Sequence, residues 1–136
     1  MDEAYSYLAL SGLLTVLLWT PYIISRLFVW DLPTFLHNYP ENFPVDQPQP
    51  PLWAERAKRA HLNMVETMPA FVAVVLAAGL IGNTANPSLV NQWAAIFFFA
   101  RIAHAIVYIL GIPGLRTPTY LISWVAILII GFQSII

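Results

Sequence analysis

Apolar residues fill four long stretches of this chain, each close to the length of about 20 residues that a helix needs to cross a membrane. The stretches run over about 4–28, 62–81, 93–110 and 119–136. The first is preceded by acidic residues and is longer than the apolar core of a cleavable signal, so we expect a retained helix. The pattern predicts an all-α integral membrane four-helix bundle that forms one domain over residues 1–136.

The segments between these stretches differ in composition. The first, about 29–54, contains six prolines, which one helix cannot accommodate, and it predicts an extended, turn-rich segment on the membrane surface. Its end, from Trp53 to His61, has no helix breaker and is expected to continue into the second span. The second segment, 82–88, is short and uncharged. The third, 111–118, has two glycines and two prolines and is typical of a tight turn.

Composition supports the membrane assignment and excludes several functions. The chain is 59% hydrophobic and 10% charged, whereas soluble domains carry about 25% charged residues. A net charge of −1 argues against nucleic-acid binding, which needs a basic face. The chain has no cysteine, so disulfides, thiolate metal sites and a cysteine nucleophile are excluded. No metal site is predicted.

Basic residues predict the orientation of the chain. Five of the six cations flank the first and third connecting segments, namely Arg26, Arg56, Lys58, Arg59 and Arg116. Because basic loops stay in the cytoplasm, both of these segments are expected there and both termini on the opposite side. We expect a bacterial inner membrane, with both termini periplasmic.

Three ionisable residues lie at membrane depth, where such residues usually face the bundle interior and serve a function. On a helical wheel, Glu66 shares a narrow face of the second span with Asn63. Arg101 and His104 share a face of the third span with Tyr108. At about 1.5 Å rise per residue the two stripes form one layer near the cytoplasmic surface. The Arg101 side chain is long enough to pair with Glu66, and a purely structural ion pair between the helices is an equally good interpretation.

The residue types in this layer suggest a ligand. Arg116 and Thr117 lie at its mouth, and a guanidinium binds carboxylates through two parallel hydrogen bonds. The Glu66 carboxylate suits an ammonium group, while His104 and Tyr108 add neutral donors and acceptors. Together they predict a site for a zwitterionic, peptide-like molecule beside an apolar, lipid-facing groove.

Three motifs resemble those of one membrane-protein family. Residues 55–66 resemble the signature E-R-x-x-R-A-x-x-N-x-x-E of the membrane-associated proteins in eicosanoid and glutathione metabolism (MAPEG). Residues 101–108 resemble that family's R-x-x-H-x-x-x-Y segment, and residues 116–120 its R-S-x-x-Y turn. The motifs occur in order over essentially the whole chain, and the microsomal glutathione transferase and prostaglandin E synthase branch is the most similar.

This resemblance implies a homotrimer that binds glutathione between subunits on the cytoplasmic side. A lipophilic electrophile or hydroperoxide would enter from the bilayer, and Arg116 or Thr117 would stabilise the glutathione thiolate. The activity implied is that of a glutathione-dependent transferase or peroxidase. By position, the residues expected to bind glutathione are Arg26, Arg59, Asn63, Glu66, His104, Tyr108 and Arg116.

Departures from the family pattern, among them the unusually proline-rich first segment, keep a second function open. Leu62 stands where the prostaglandin synthase branch has an arginine, and Thr117 replaces the usual serine. The alternative is a non-catalytic, lipid-binding or accessory subunit of a larger membrane complex, docked through the proline-rich segment. A small multidrug transporter needs a glutamate in the first span, and the first apolar stretch has none.

Overall fold

The computed structural model describes residues 1–37, 49–81 and 86–136, and these residues form helices without any strand. Four spans are long and apolar enough to cross a membrane: Asp2–Trp30, Leu52–Leu80, Pro87–Leu110 and Arg116–Ile135. The predicted all-α, four-span membrane architecture is therefore confirmed. The helices in chain order are α1 (Asp2–Leu17), α2 (Thr20–Trp30), α3 (Leu32–Leu36), α4 (Leu52–Leu80), α5 (Pro87–Leu110) and α6 (Arg116–Ile135).

The first span is divided in two because a proline opens its second half. Pro21 lies in the first turn of α2, where its missing N–H costs nothing, and the two residues before α2 form a turn. The short helix α3 follows within the segment predicted to be extended. Asp31 caps it by accepting a 3.0 Å hydrogen bond from the Thr34 backbone N–H. The rest of the proline-rich segment, residues 38–48, lies outside the described residues.

The second span begins well before its apolar stretch, as predicted from the absence of a helix breaker between Trp53 and His61. The helix α4 starts at Leu52 and continues through Pro69 without interruption. Beyond α5, the predicted tight turn is also present. Gly111 and Gly114 adopt positive φ angles of 69° and 82°, which glycine tolerates best. Residues 82–85 of the second connecting segment lie outside the described part of the chain.

Contacts between helix ends show that the spans alternate in direction. At one end, the Ala4 backbone N–H donates to Asn91 Oδ1 over 3.1 Å, which joins the starts of α1 and α5. A Cβ atom at Gly79 would overlap the Tyr5 side chain, so α1 also lies close to the end of α4. At the other end, α4 and α6 begin where α2 and α5 finish. This end, called the cationic end here, carries the five basic residues that flank the first and third connecting segments.

The interior is built around α5, which packs against α1, α4 and α6. Phe71 of α4 and Phe97 of α5 are fully buried and stack with ring centroids 3.8 Å apart. The outer surface is largely apolar, and Phe28 is 86% exposed. Such a surface suits a lipid environment, in which exposed apolar side chains are not destabilising.

Candidate functional site

A buried polar network links α4 and α5 below the cationic end. Arg101 Nη2 donates to Asn63 Oδ1 over 2.8 Å, and His104 Nε2 lies 3.2 Å from the same oxygen. Arg101 Nε donates to the Met64 sulfur over 3.2 Å. Arg101 and His104 are each only 2% exposed. The structure thus brings together three residues of the two predicted stripes.

The network also determines which His104 nitrogen carries the proton. A guanidinium can only donate, so the Asn63 atom facing Arg101 must be the amide oxygen. That oxygen is an acceptor, and the His104 Nε2 atom beside it must therefore carry a hydrogen. In the neutral ring Nδ1 is then an acceptor. Nδ1 is buried and has no hydrogen-bond partner among the described residues.

Aromatic rings connect this network to the cationic end. The His104 ring lies 5.5 Å from the Tyr108 ring and 6.0 Å from the Tyr120 ring, measured between centroids. The Arg116 guanidinium lies 4.9 Å from the centroid of Tyr108, close enough for a cation–π contact. The buried His104 is therefore joined, through a tyrosine, to an exposed arginine at the start of α6.

Two neighbouring pockets share these residues. The inner pocket, of about 270 Å³, is lined by Asn63, His104, Tyr108, Arg116, Thr117 and Tyr120. The mouth pocket, of about 450 Å³, lies nearer the membrane surface, and its lining includes Glu55, Arg56, Arg59 and the turn after α5. Tyr108, Arg116 and Thr117 line both pockets. A polar, cation-rich space therefore extends from the mouth to the buried network.

The family comparison can be set beside this geometry. The model of the MAPEG family matches residues 4–136, which is essentially the whole chain. The chain belongs to the MAPEG family. No curated protein matches it significantly.

One prediction for this MAPEG chain, the pairing of Arg101 with Glu66, is wrong within the subunit. Arg101 does not pair with Glu66, because its guanidinium bonds Asn63 and Met64 instead. The Glu66 side chain is exposed on α4 and has no ion pair among the described residues. The wheel placed Glu66 beside Asn63 because three residues at about 100° each leave the two side chains only about 60° apart. In the fold that offset is enough to place Asn63 against α5 and to leave Glu66 exposed.

The cations at the cationic end of the MAPEG chain line different pockets. Arg59 lines the mouth pocket and lies 3.6 Å from the Glu55 carboxylate. Arg26, which the resemblance placed at the glutathione site, does not line either of the two joined pockets. It lies instead in a separate pocket with Lys58.

Three contributors to the site are not among the site residues predicted from the sequence. Tyr120 follows Arg116 by one helical turn, a spacing that would have placed it on the same face. Arg56 lines the mouth pocket beside Gly111. The contact of Met64 with Arg101 had no sequence signal, since a thioether at a buried position is usually part of an apolar core.

Proposed function

We propose that this MAPEG protein is a membrane-bound, glutathione-dependent transferase or peroxidase acting on lipophilic electrophiles or hydroperoxides. The observation that carries the proposal is the pair of adjoining pockets that share Tyr108, Arg116 and Thr117. The pockets connect a cationic mouth with a buried polar layer, which suits a ligand that is charged at its ends.

The donor set fits glutathione. The mouth pocket presents three guanidinium groups, from Arg56, Arg59 and Arg116, and a single carboxylate, from Glu55. Guanidinium groups bind carboxylates well, and glutathione has two of them. His104, Asn63 and Tyr120 line the inner pocket and add neutral polar groups next to the cationic mouth. The cationic mouth therefore suits the two carboxylates of the tripeptide.

Bound glutathione would supply a thiolate that either adds to an electrophilic carbon or reduces a hydroperoxide. The role of the protein is to stabilise the thiolate of glutathione relative to its thiol. Arg116 lies at the junction of the two pockets, and a nearby cation stabilises a thiolate relative to a thiol. The Thr117 hydroxyl at the same junction donates a hydrogen bond to the sulfur. The Arg116–Tyr108 contact holds the guanidinium in place.

We also propose that the chain forms a homotrimer and that the glutathione site is completed between subunits. Support comes from Glu66, a carboxylate exposed at membrane depth, because exposure of such a group to lipid is costly. The same face of α4 exposes Pro69, Ala70 and Ala73, and small residues allow helices to approach closely. Glu66 of the partner subunit would then reach the ammonium group of the ligand.

Calorimetry with purified protein in detergent tests the proposal. Glutathione should bind saturably, and a generic electrophile such as 1-chloro-2,4-dinitrobenzene should be turned over only when the thiol is present. Arg116→Gln should lower turnover by at least tenfold, because it removes the cation beside the sulfur. Arg116→Lys should recover part of the loss.

Gln92→Ala, an exposed change at the opposite end of α5, should leave binding and turnover unchanged. If wild-type protein neither binds glutathione nor turns over the electrophile, the proposed enzyme is wrong.

A second candidate function is a non-catalytic, lipid-binding or accessory subunit. Leu62 favours it, since this exposed residue offers no cation beside Asn63. Co-purification of a stoichiometric partner protein, together with an absence of glutathione binding, would support this function over the enzyme.

A further inference from the structure

A third pocket at the cationic end shares only Glu55 with the mouth pocket and no residue with the inner pocket. This side pocket has a volume of about 150 Å³ and lies between the end of α2 and the start of α4. It is much smaller than the mouth pocket. Its lining residues are Arg26, Val29, Trp30, Gln49, Pro50, Glu55 and Lys58. A small ligand group is the occupant that fits.

The charges in the side pocket favour an anion. Arg26 and Lys58 are both partly buried in the fold, and neither forms an ion pair or a side-chain hydrogen bond among the described residues. Glu55 is the only carboxylate in the lining, and it faces Arg59 at 3.6 Å on the mouth side of α4. Two cations are thus available to a ligand, while the one competing carboxylate already has a partner.

The aromatic wall of the side pocket holds one of these cations in place. The Arg26 guanidinium lies 5.1 Å from the centroid of the Trp30 ring, and Trp30 is only 8% exposed. A cation–π contact engages the face of the guanidinium and leaves its N–H groups free in the guanidinium plane. Those groups are arranged to bind two oxygens of a phosphate at once. Because the ring is buried, the arginine is oriented before any ligand arrives.

The depth of the side pocket matches the phosphate level of a bilayer. It lies where the first span ends and the second begins, beside Trp30 and near the exposed Trp53. Tryptophans at the ends of spans mark the membrane–water interface. The helix that carries Arg26 belongs to the lipid-facing perimeter, because Ile24 is 44% and Phe28 86% exposed. A headgroup bound in this pocket can keep its acyl chains in the bilayer.

We propose that the side pocket is a binding site for the phosphate group of an anionic phospholipid, held by Arg26 and Lys58. Basic pockets between membrane helices near the cytoplasmic surface are suited to such headgroups. Bound lipid would link α2 to α4 through the two cations. Within one subunit the side pocket shares only Glu55 with the mouth pocket, and lipid binding there does not require glutathione.

Native mass spectrometry of the delipidated protein, without glutathione, tests the proposal. Phosphatidylglycerol, diacylglycerol and inorganic phosphate would each be titrated. We expect saturable binding of phosphatidylglycerol, weak binding of diacylglycerol because it lacks the phosphate, and weak binding of inorganic phosphate because it lacks the chains. If inorganic phosphate competes with phosphatidylglycerol at equal concentration, the lipid is not the ligand and the proposal is wrong.

Variants of the two cations test the assignment to this pocket. Lys58→Gln and Arg26→Gln should each weaken phosphatidylglycerol binding about fivefold, as expected for about 1 kcal/mol per basic residue. The double variant should weaken it roughly 25-fold if the two act independently. Lys58→Arg keeps the charge and should retain binding, which separates a lost contact from a misfolded protein.

Arg56→Gln is the matched control, since it removes the same charge from the same helix on the face of the mouth pocket. We expect it to change lipid affinity by less than about twofold. If Arg56→Gln weakens binding as much as Lys58→Gln does, the attraction comes from general surface charge and no site exists. Unchanged affinity in the double variant would equally overturn the proposal.

Discussion

Arg101 Nη2 donates a 2.8 Å hydrogen bond to Asn63 Oδ1, and this bond joins α5 to α4 within the membrane-spanning part of the chain. The same oxygen accepts from His104 Nε2 at 3.2 Å. One amide oxygen therefore satisfies two buried donors, one of which is a cation. Asn63 also lines the inner pocket. Stability and the candidate site thus depend on the same side chain.

Replacing Asn63 by leucine should destabilise the protein. Arg101 would keep only the Met64 sulfur as a hydrogen-bond acceptor, beside its contact with the Tyr120 ring, and a hydrogen bond to a charged group contributes about 1.5–3 kcal/mol. We expect Asn63→Leu to lower the free energy of unfolding by about 3 kcal/mol, measured by denaturant unfolding in detergent with tryptophan fluorescence. Asn63→Asp keeps the acceptor and should cost less than about 1 kcal/mol. Equal losses in the two variants would contradict this role for the amide oxygen.

Gly111 makes a second structural connection, because its backbone lies against the Arg56 guanidinium. Its φ of 69° disfavours any other residue, and a Cβ atom there would overlap the arginine side chain. Gly111→Ala should therefore cost about 1 kcal/mol for the backbone and more for displacing Arg56. Gly114→Ala is the matched control, because Gly114 has a φ of 82° but open space around its Cβ position.

The two glycine variants should differ in ligand binding as well as in stability. Both glycines line the mouth pocket, but only Gly111→Ala displaces the Arg56 guanidinium, so we expect glutathione affinity to fall several-fold more in that variant than in Gly114→Ala. In an Arg56→Ala background, Gly111→Ala should cost no more than Gly114→Ala, which unfolding midpoints in a double-mutant cycle can measure. A larger cost of Gly111→Ala that persists without Arg56 would show that the contact is not its cause.

The spans and the cationic end were predictable because they depend on apolar runs and on the positions of basic residues. Both can be read from the sequence without knowing which side chains pack together. A run of apolar residues must cross the bilayer, and the segment from Trp53 to His61 had nothing to stop its helix. Lys58 and Arg59 are about 100° apart around α4, and they line different pockets. The short helix α3 was missed, although Asp31 followed by a proline at the first turn is a helix-start signal.

The pairing of Arg101 was not predictable, because it depends on the rotation of α4 about its own axis. On a helical wheel, Asn63 and Glu66 both face the side from which Arg101 approaches. The negative charge of Glu66 makes it the expected partner. In the fold, α4 turns Asn63 inward and Glu66 outward. A rotation of a few tens of degrees decides between the two, and packing rather than local sequence determines it. The separation of Arg26 from the joined pockets depends on packing in the same way.

The stack of Phe71 on Phe97 should be a major stabilising contact between α4 and α5. Both rings are fully buried, with centroids 3.8 Å apart and planes within 12° of parallel. Phe71→Ala leaves a cavity between the helices, and such truncations cost about 3–5 kcal/mol. Unfolding in detergent should show a loss of this size. Phe132→Ala removes an equal volume from a side chain that is 58% exposed, and it should cost less than about 1 kcal/mol.

The exposed face of α4 around Glu66 should mediate self-association. Ala70 and Ala73 are exposed one and two turns beyond the carboxylate, so a partner helix can approach closely there. Ala70→Phe places a bulky ring on this face and should shift the proposed trimer towards monomer, as measured by native mass spectrometry. Ala9→Phe makes the same change at an exposed position of α1 and should leave the trimer intact. A trimer that survives Ala70→Phe but dissociates with Ala9→Phe would place the interface on the first span, and Glu66 would then need a different partner.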